Sequence, residues 1–329
     1  MSSKSSVVPL VVRDVAELPF LPLSKTRICF EPCQGISIPA TMICGQKEAK
    51  RVLISSGIHG GEFLGIAAAM QLAEELTPTE ITGRVIILHP VNLPGFHAKV
   101  QHVNPEDGKN INHCFPGDAN GSPSERKAAF IAETLRLHSD LFIDMHGGDI
   151  HEPLIPFAVY SNLNPATANL SRELAMATGI GMICAFNLES ISVGCAANQG
   201  VPAIMVEFGH SGKWTPAEAS QYGLYIRNAL RHYGVLQGEN LQVAPKEITD
   251  YHSMKANTMG CWYPSLKEGE MILKGSRIGE IRNYYGEILE VFEAERDCMI
   301  IYIVSSFGIC PGDYLFATGV VQDSAAGSN

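Results

Sequence analysis

The pattern of apolar and polar positions changes twice along the chain. The first 45 or so residues are rich in Pro and β-branched types and carry no helical period, so they predict short strands and turns. From residue 51 apolar runs alternate with amphipathic ones. RVLISS (51–56) predicts a strand, FLGIAAAMQLAEEL (63–76) a helix and GRVIILH (83–89) a second strand. Ser122-Pro123-Ser124-Glu125 is a capping box with Pro at the first helical position, opening a helix that runs to His138. LFIDM (141–145) and PAIMVEF (202–208) predict two more strands. Thr215-Pro216-Ala217-Glu218 repeats the capping signature ahead of a helix closed by Gly234. Apolar strands separated by helices predict an α/β fold, a mostly parallel mixed sheet with helices on both faces. Residues 235–249 read as a linker. Beyond it the helical signals vanish, and GEILEVFEA, CMIIYIV and YLFATG between Gly-rich turns predict a small β domain. The expected division is a large domain over 1–240, with residues 1–45 its β-rich part, and a small β domain over 250–329.

Composition narrows the class. With 46% hydrophobic and 18% charged residues the chain reads as globular, not disordered. Its formal charge of −10 lacks the electrostatic footprint of a nucleic-acid or anionic-membrane binder, so neither partner is expected. The opening MSSKSSVVPLVV is too short and too interrupted for a signal peptide or a membrane span, and no later run is long enough. The nine cysteines are odd in number and scattered. Cys29 and Cys33 form the closest pair, with no second pair to complete a structural zinc site. They read as reduced thiols of a cytoplasmic protein.

Candidate chemistry clusters where strands end. Gly57-Ile58-His59-Gly60-Gly61-Glu62 lies between the strand 51–56 and the helix 63–76. A His and a Glu three apart on such a turn can aim an imidazole and a carboxylate at one point, a donor set that Zn²⁺ accepts. The bland alternative is a helix-capping Glu beside a surface His. Asp144-Met145-His146 closes another strand, where Asp144 could orient the imidazole if the backbone bends favourably. Glu207 closes a third, and a carboxylate there must be solvated or sit in a polar cleft. In a parallel α/β sheet ligand sites gather beyond the carboxyl ends of the strands. His59, Glu62, His146 and Glu207 then share one rim. Two His and one Glu with an open fourth position is the ligand set of a catalytic zinc, one per chain, with Glu207 as the natural general base.

The order His59-Gly-Gly-Glu62, Asn110-Ile-Asn112-His113-Cys-Phe115-Pro116-Gly117, Asp144-Met-His146, Glu207 resembles the succinylglutamate desuccinylase/aspartoacylase family, relatives of the zinc carboxypeptidases. The resemblance runs through roughly residues 35–235, and the trailing β segment is similar to that of the N-acetyl-diaminobutyrate deacetylase-like branch. It implies zinc on His59, Glu62 and His146, a base at Glu207, substrate binding by Asn112 and His113, and hydrolysis of a small N-acyl amino acid or N-acyl amine.

The chain departs from the family pattern at one pair of positions. The family has Asn-Arg, its Arg gripping the substrate carboxylate, where this chain has Asn112-His113. A second family Arg, upstream, polarises the scissile carbonyl, and 100–108 holds only His102. Histidine offers neither a permanent charge nor a two-pronged fork. This predicts a substrate with a smaller or neutral group at that position, or a slow enzyme. A peptide-cleaving zinc carboxypeptidase would need the missing cation. A catalytically silent zinc-binding sensor is the reading from another class. His210 reads as a solvated loop residue, Cys114 lacks a base, and Asn92 either reaches the site from the end of the strand 83–89 or, equally well, forms a turn. The β domain is expected to serve as an oligomer contact or a lid over the cleft. Its turn Glu295-Arg296-Asp297-Cys298 lacks the lysine of a lipoyl-type carrier.

Overall fold

The computed structural model describes residues 8–239, 241 and 244–323. The β-rich start forms β1 (Leu10–Val12), β2 (Ser24–Phe30) and β3 (Ile38–Cys44). The alternating segment then supplies β4 (Arg51–Ser56), α1 (Phe63–Glu75), β5 (Arg84–Pro90), α2 (Leu93–Ala98), α3 (Pro123–His138), β6 (Leu141–His146), β7 (Phe157–Tyr160), α4 (Pro165–Ala177), β8 (Met182–Ala185), α5 (Ser192–Asn198), β9 (Ala203–Glu207) and α6 (Pro216–Tyr233). Among the described residues only strands follow: β10 (Lys246–Lys255), β11 (Gly260–Pro264), β12 (Met271–Ile272), β13 (Arg277–Arg282), β14 (Ile288–Glu293), β15 (Cys298–Ile303), β16 (Gly308–Ile309) and β17 (Tyr314–Asp323).

Thirteen strands join in the order β1-β2-β3-β5-β4-β6-β9-β7-β8-β10-β17-β15-β12, and β14-β13-β11-β16 form a second, antiparallel sheet. At the centre β5, β4, β6 and β9 run parallel. They read as continuous apolar runs because both faces are covered. Leu64 and Ala68 of α1, Leu174 of α4 and Ile226 of α6 pack in one buried cluster. Ile131 and Leu135 of α3 and Val193 of α5 pack in the other. The expected α/β sheet with helices on both faces is therefore the observed one. The capping box predicted at Ser122 forms, with the Ser122 N–H donating to Glu125 Oε2 at 2.8 Å. Gly234 ends α6 in the left-handed conformation, φ 77°.

Two parts of the chain differ from the sequence reading. Between His146 and Ala203 the structure adds β7, α4, β8 and α5. FAVY and MICA are too short to show a period, and SVGCAAN of α5 is small and apolar with no polar face to mark it. The expected linker 235–249 is also shortened, because β10 begins at Lys246. Register shifts interrupt β10 between Thr249 and His252 and again before Lys255, so KEITDYHSMK shows no simple alternation. β10 pairs with β8 in parallel and β17 antiparallel, which builds the C-terminal strands onto the central sheet. Among the described residues no helix is long and apolar enough to cross a membrane.

One buried tyrosine ties the strand ends that carry the candidate residues. Tyr222 of α6 lies with its hydroxyl 2.8 Å from the His146 carbonyl and 2.6 Å from the Val206 carbonyl. Its single proton serves one acceptor at a time. Tyr222→Phe is expected to lower the unfolding free energy by about 1 kcal/mol, measured by urea denaturation. An unchanged midpoint would mean that another donor replaces it.

Candidate metal centre and active site

The turn after β4 places the first two candidate ligands. Gly57 adopts φ 67°, where a Cβ would lie 2.9 Å from Pro90 Cα. Gly60 and Gly61 allow a close approach, but to protein. A Cβ on Gly60 would meet the Phe96 amide nitrogen at 2.2 Å, and one on Gly61 would meet Asp149 Oδ1 at 1.9 Å. Glu62 stands at the N-cap of α1, yet its side chain makes no capping hydrogen bond. The carboxylate turns inward instead, which removes the bland reading.

There it meets two imidazoles. His59 Nδ1 lies 2.6 Å from Glu62 Oε1, and His146 Nδ1 lies 3.1 Å from Glu62 Oε2. The outer nitrogens of both rings are occupied. His59 Nε2 is 3.0 Å from Asn110 Oδ1, and His146 Nε2 is 3.0 Å from Asp144 Oδ2. An acceptor on Nε2 holds a proton there, so that Nδ1, facing inward, can give its lone pair to a metal once any proton it shares with Glu62 is displaced. Asp144 is fixed in turn by the Ser55 and Ser192 hydroxyls, so the bend it needs is present. Glu62 Oε2 is buried without a hydrogen-bonded partner. Two inward Nδ1 atoms and an orphaned carboxylate oxygen make a donor set that suits a cation such as Zn²⁺.

The electrostatics agree. Burial would raise the Glu62 carboxyl, but the facing His146 and His59 outweigh it and hold it well below its usual range. Burial would lower His146, and Asp144 and Glu62 outweigh that and raise it well above its ordinary value. His146 therefore holds its proton more tightly than a free imidazole does, and a metal taking Nδ1 must compete with it. Zinc affinity is expected to fall as pH falls, with proton release on binding near pH 7. Titration calorimetry in buffers of different ionisation enthalpy measures this, and a buffer-independent heat would contradict it.

Glu207 ends β9 as the register partner of His146. Burial pushes its carboxyl up to about 8, with Glu62, Glu152 and Asp144 adding repulsion and His146 opposing it. In the sequence His102 marks only the place of an absent Arg. Here it adopts φ 55°, and its Nδ1 and Nε2 lie 3.3 Å from Asp149 Oδ2 and 3.0 Å from Glu152 Oε2. Burial opposes its charge, but Glu152 and Asp149 prevail and push it up to about 9. Ligand atoms of His59, Glu62, His102 and Asp149 lie within 4.8 Å of one another, so His102 and Asp149 are alternative donors.

The other singled-out residues divide. His113 stands exposed on the rim of a cleft of about 370 Å³, whose lining includes His102, Asn110, His113, Lys255, Ser306 and Tyr314. Asn112 is buried, and its Oδ1 accepts the Ser192 N–H at 2.9 Å, tying this loop to α5. Asn92 caps α2 and Cys114 donates to the Asn110 carbonyl. His210 is exposed, 3.9 Å from Glu218. All nine cysteines are free thiols. Sequence reasoning missed Asn110, Asp149, Glu152, Lys255 and Tyr314 as neighbours of the site. For Asp149 and Glu152 a signal existed, two acids just beyond a strand end that carries a candidate ligand.

The fold and the rim define the class. Residues 48–233 match the succinylglutamate desuccinylase/aspartoacylase catalytic domain, and the chain belongs to that family. Among its relatives is the N-alpha-acetyl-L-2,4-diaminobutyric acid deacetylase of Halomonas elongata, 34% identical over 225 residues, which are 67% of this chain and 64% of the relative. The match thus spans just under two thirds of that protein's length. Similar solved structures include a succinylglutamate desuccinylase/aspartoacylase from Rhodobacter sphaeroides (TM-score 0.74, 25% identity, 88% of this chain and 89% of that one). The product-bound ectoine utilization protein EutE (DoeB) from Ruegeria pomeroyi matches with a TM-score of 0.76 at 25% identity, over 87% and 89% of the two chains.

Proposed function

We propose that the chain is a zinc-dependent hydrolase that cleaves the amide bond of a small N-acyl amino acid. His59, Glu62 and His146 hold one zinc ion per chain and Glu207 acts as general base. The observation that carries this reading is the pair of inward Nδ1 atoms on either side of the Glu62 carboxylate, each with its outer nitrogen taken by an acceptor. His146 is preferred to His102 as third ligand because it ends the strand next to β4 and shares Glu62 with His59. His102 faces two other carboxylates and is better suited to remain an imidazolium.

His59, Glu62 and His146 would hold the zinc, and the chemistry it would supply when bound is polarisation of an acyl carbonyl and a water pKa lowered from its bulk value to about 7. Glu207 accepts the proton of the attacking water on its carboxylate and delivers it to the departing amine nitrogen. Asp144 holds the His146 ring in place through Nε2. His102, clamped by Asp149 and Glu152, offers positive charge to the oxygen on which negative charge develops, the task of the absent upstream arginine. Asn112 positions the loop that presents His113 to the substrate.

The likeness to a diaminobutyric acid deacetylase supports N-acetyl-L-2,4-diaminobutyrate as the first compound to test, followed by other N-acyl amino acids. The zinc-loaded chain is expected to release free amine from at least one. No release from any of them, with metal bound, would leave a silent binding protein.

A further inference from the structure

An N-acyl amino acid brings a carboxylate toward a site that already holds Glu62 beside His59 and His146, and Asp149 and Glu152 beside His102. The loop position that the family fills with Arg holds His113, whose positive charge is disfavoured by the partial desolvation of its ring at the rim and by His59, Lys255 and His102. Among the described residues the lining of the cleft that His113 borders carries one ammonium, Lys255.

Three observations set Lys255 apart from a solvated surface lysine. Lys255 and Tyr314 are register partners across the β10–β17 ladder, and the ladder shifts between Met254 and Lys255, an irregularity of the kind that re-aims a side chain. The Lys255 ammonium sits 4.2 Å from the centre of the Tyr314 ring, a cation–π contact that holds the charge at the cleft. The Tyr314 ring in turn packs edge-on to His102, 6.0 Å between centroids, which joins the ammonium to the candidate centre by direct contacts. Among the described residues no salt bridge includes Lys255, which is exposed. The acid on the same lining, Asp313, accepts the Cys310 N–H at 2.7 Å through Oδ2. The cation is thus held on the cleft lining against Tyr314, with no carboxylate paired to it among the described residues.

We propose that Lys255, carried by the C-terminal strands and not by the family's Asn-Arg loop, is the specificity-determining cation that pairs with the α-carboxylate of an N-acyl amino acid. It would replace the missing arginine from another part of the fold. The assignment rests on the deacylase reading above and revises the sequence-based expectation of a neutral substrate group. Lysine gives one point charge where arginine gives a fork, so the grip is expected to be weaker and more tolerant of carboxylate orientation.

The test measures binding separately from turnover. N-acetyl-L-2,4-diaminobutyrate, N-acetyl-L-alanine and N-acetyl-L-glutamate, each paired with its α-carboxamide, are titrated calorimetrically into the zinc-loaded full chain, Lys255→Met and Lys255→Arg. The wild type is expected to prefer acid over amide by about 10-fold in at least one pair, the size suited to a charged hydrogen bond at a partly exposed site. Lys255→Met should collapse that ratio and Lys255→Arg should restore it. A ratio that survives in Lys255→Met, or no acid preference in any wild-type pair, overturns the assignment. Hydrolysis assayed on the same samples keeps the two readings apart. Acid selectivity lost in Lys255→Met without any turnover would uphold the carboxylate site and reject the deacylase, and turnover with unaltered selectivity would do the reverse.

Discussion

Glu207→Gln is expected to lower kcat by about 10²- to 10⁴-fold, the range attributed to a positioned general base. The amide keeps the size of the side chain but has no basic oxygen lone pair suited to take a proton from water. Glu207 contributes no proposed metal bond, so zinc content and thermal midpoint should stay close to wild type. The pH profile gives a second signature. A base must be ionised, so kcat/KM of the wild type falls as pH drops through its pKa. Burial and the neighbouring Glu62, Glu152 and Asp144 raise that value in the metal-free protein, and a divalent cation acts to lower it. The acidic limb should therefore lie below the metal-free value of about 8 and flatten in Glu207→Gln. Turnover within a few-fold of wild type would place the base elsewhere.

His146→Ala has the second large effect, and it acts on stability and activity together. In the metal-free chain the His146 imidazolium lies between Asp144 and Glu62, each within 3.1 Å. Removing it leaves two buried carboxylates without their shared cation, a loss on the order of 3–5 kcal/mol. Its dependence on pH has a definite sign. The folded pKa of His146 is raised, so its contribution is complete below the unfolded value, about 6.5, and is lost as pH rises through the folded one. The gap between metal-free wild type and variant, read by urea denaturation, should narrow from pH 6 upward. Hydrolysis by the variant should be absent at micromolar zinc. A stable, active His146→Ala protein would shift the ligand set to His102 and Asp149.

How far the sequence can be read follows from how local each feature is. Strands buried on both faces announce themselves as apolar runs, and the residues closing β4, β6 and β9 meet because parallel strands end on one side. That rule alone brings His59, Glu62, His146 and Glu207 onto one rim. Four-residue strands and a helix with no polar face carry too little pattern, so β7, β8 and α5 are not legible in the sequence, whereas α4 opens on an Asn164-Pro165 cap and is amphipathic, a signal that sequence reasoning missed. Within the Asn110-Ile-Asn112 run, spacing does not say which amide faces the site. The structure turns Asn110 to His59 and Asn112 to Ser192. Lys255 has no local signal. Only the β10–β17 register beside the central sheet brings it to the cleft that His113 borders.

The proposed chemistry stands first on the metal and its third ligand. Elemental analysis of the zinc-dialysed wild type, His146→Ala and His102→Ala is the most direct measurement. About one zinc per chain is expected in wild type and in His102→Ala, and loss of it in His146→Ala. Zinc retained by His146→Ala, or none in the wild type after dialysis, would contradict the proposed centre.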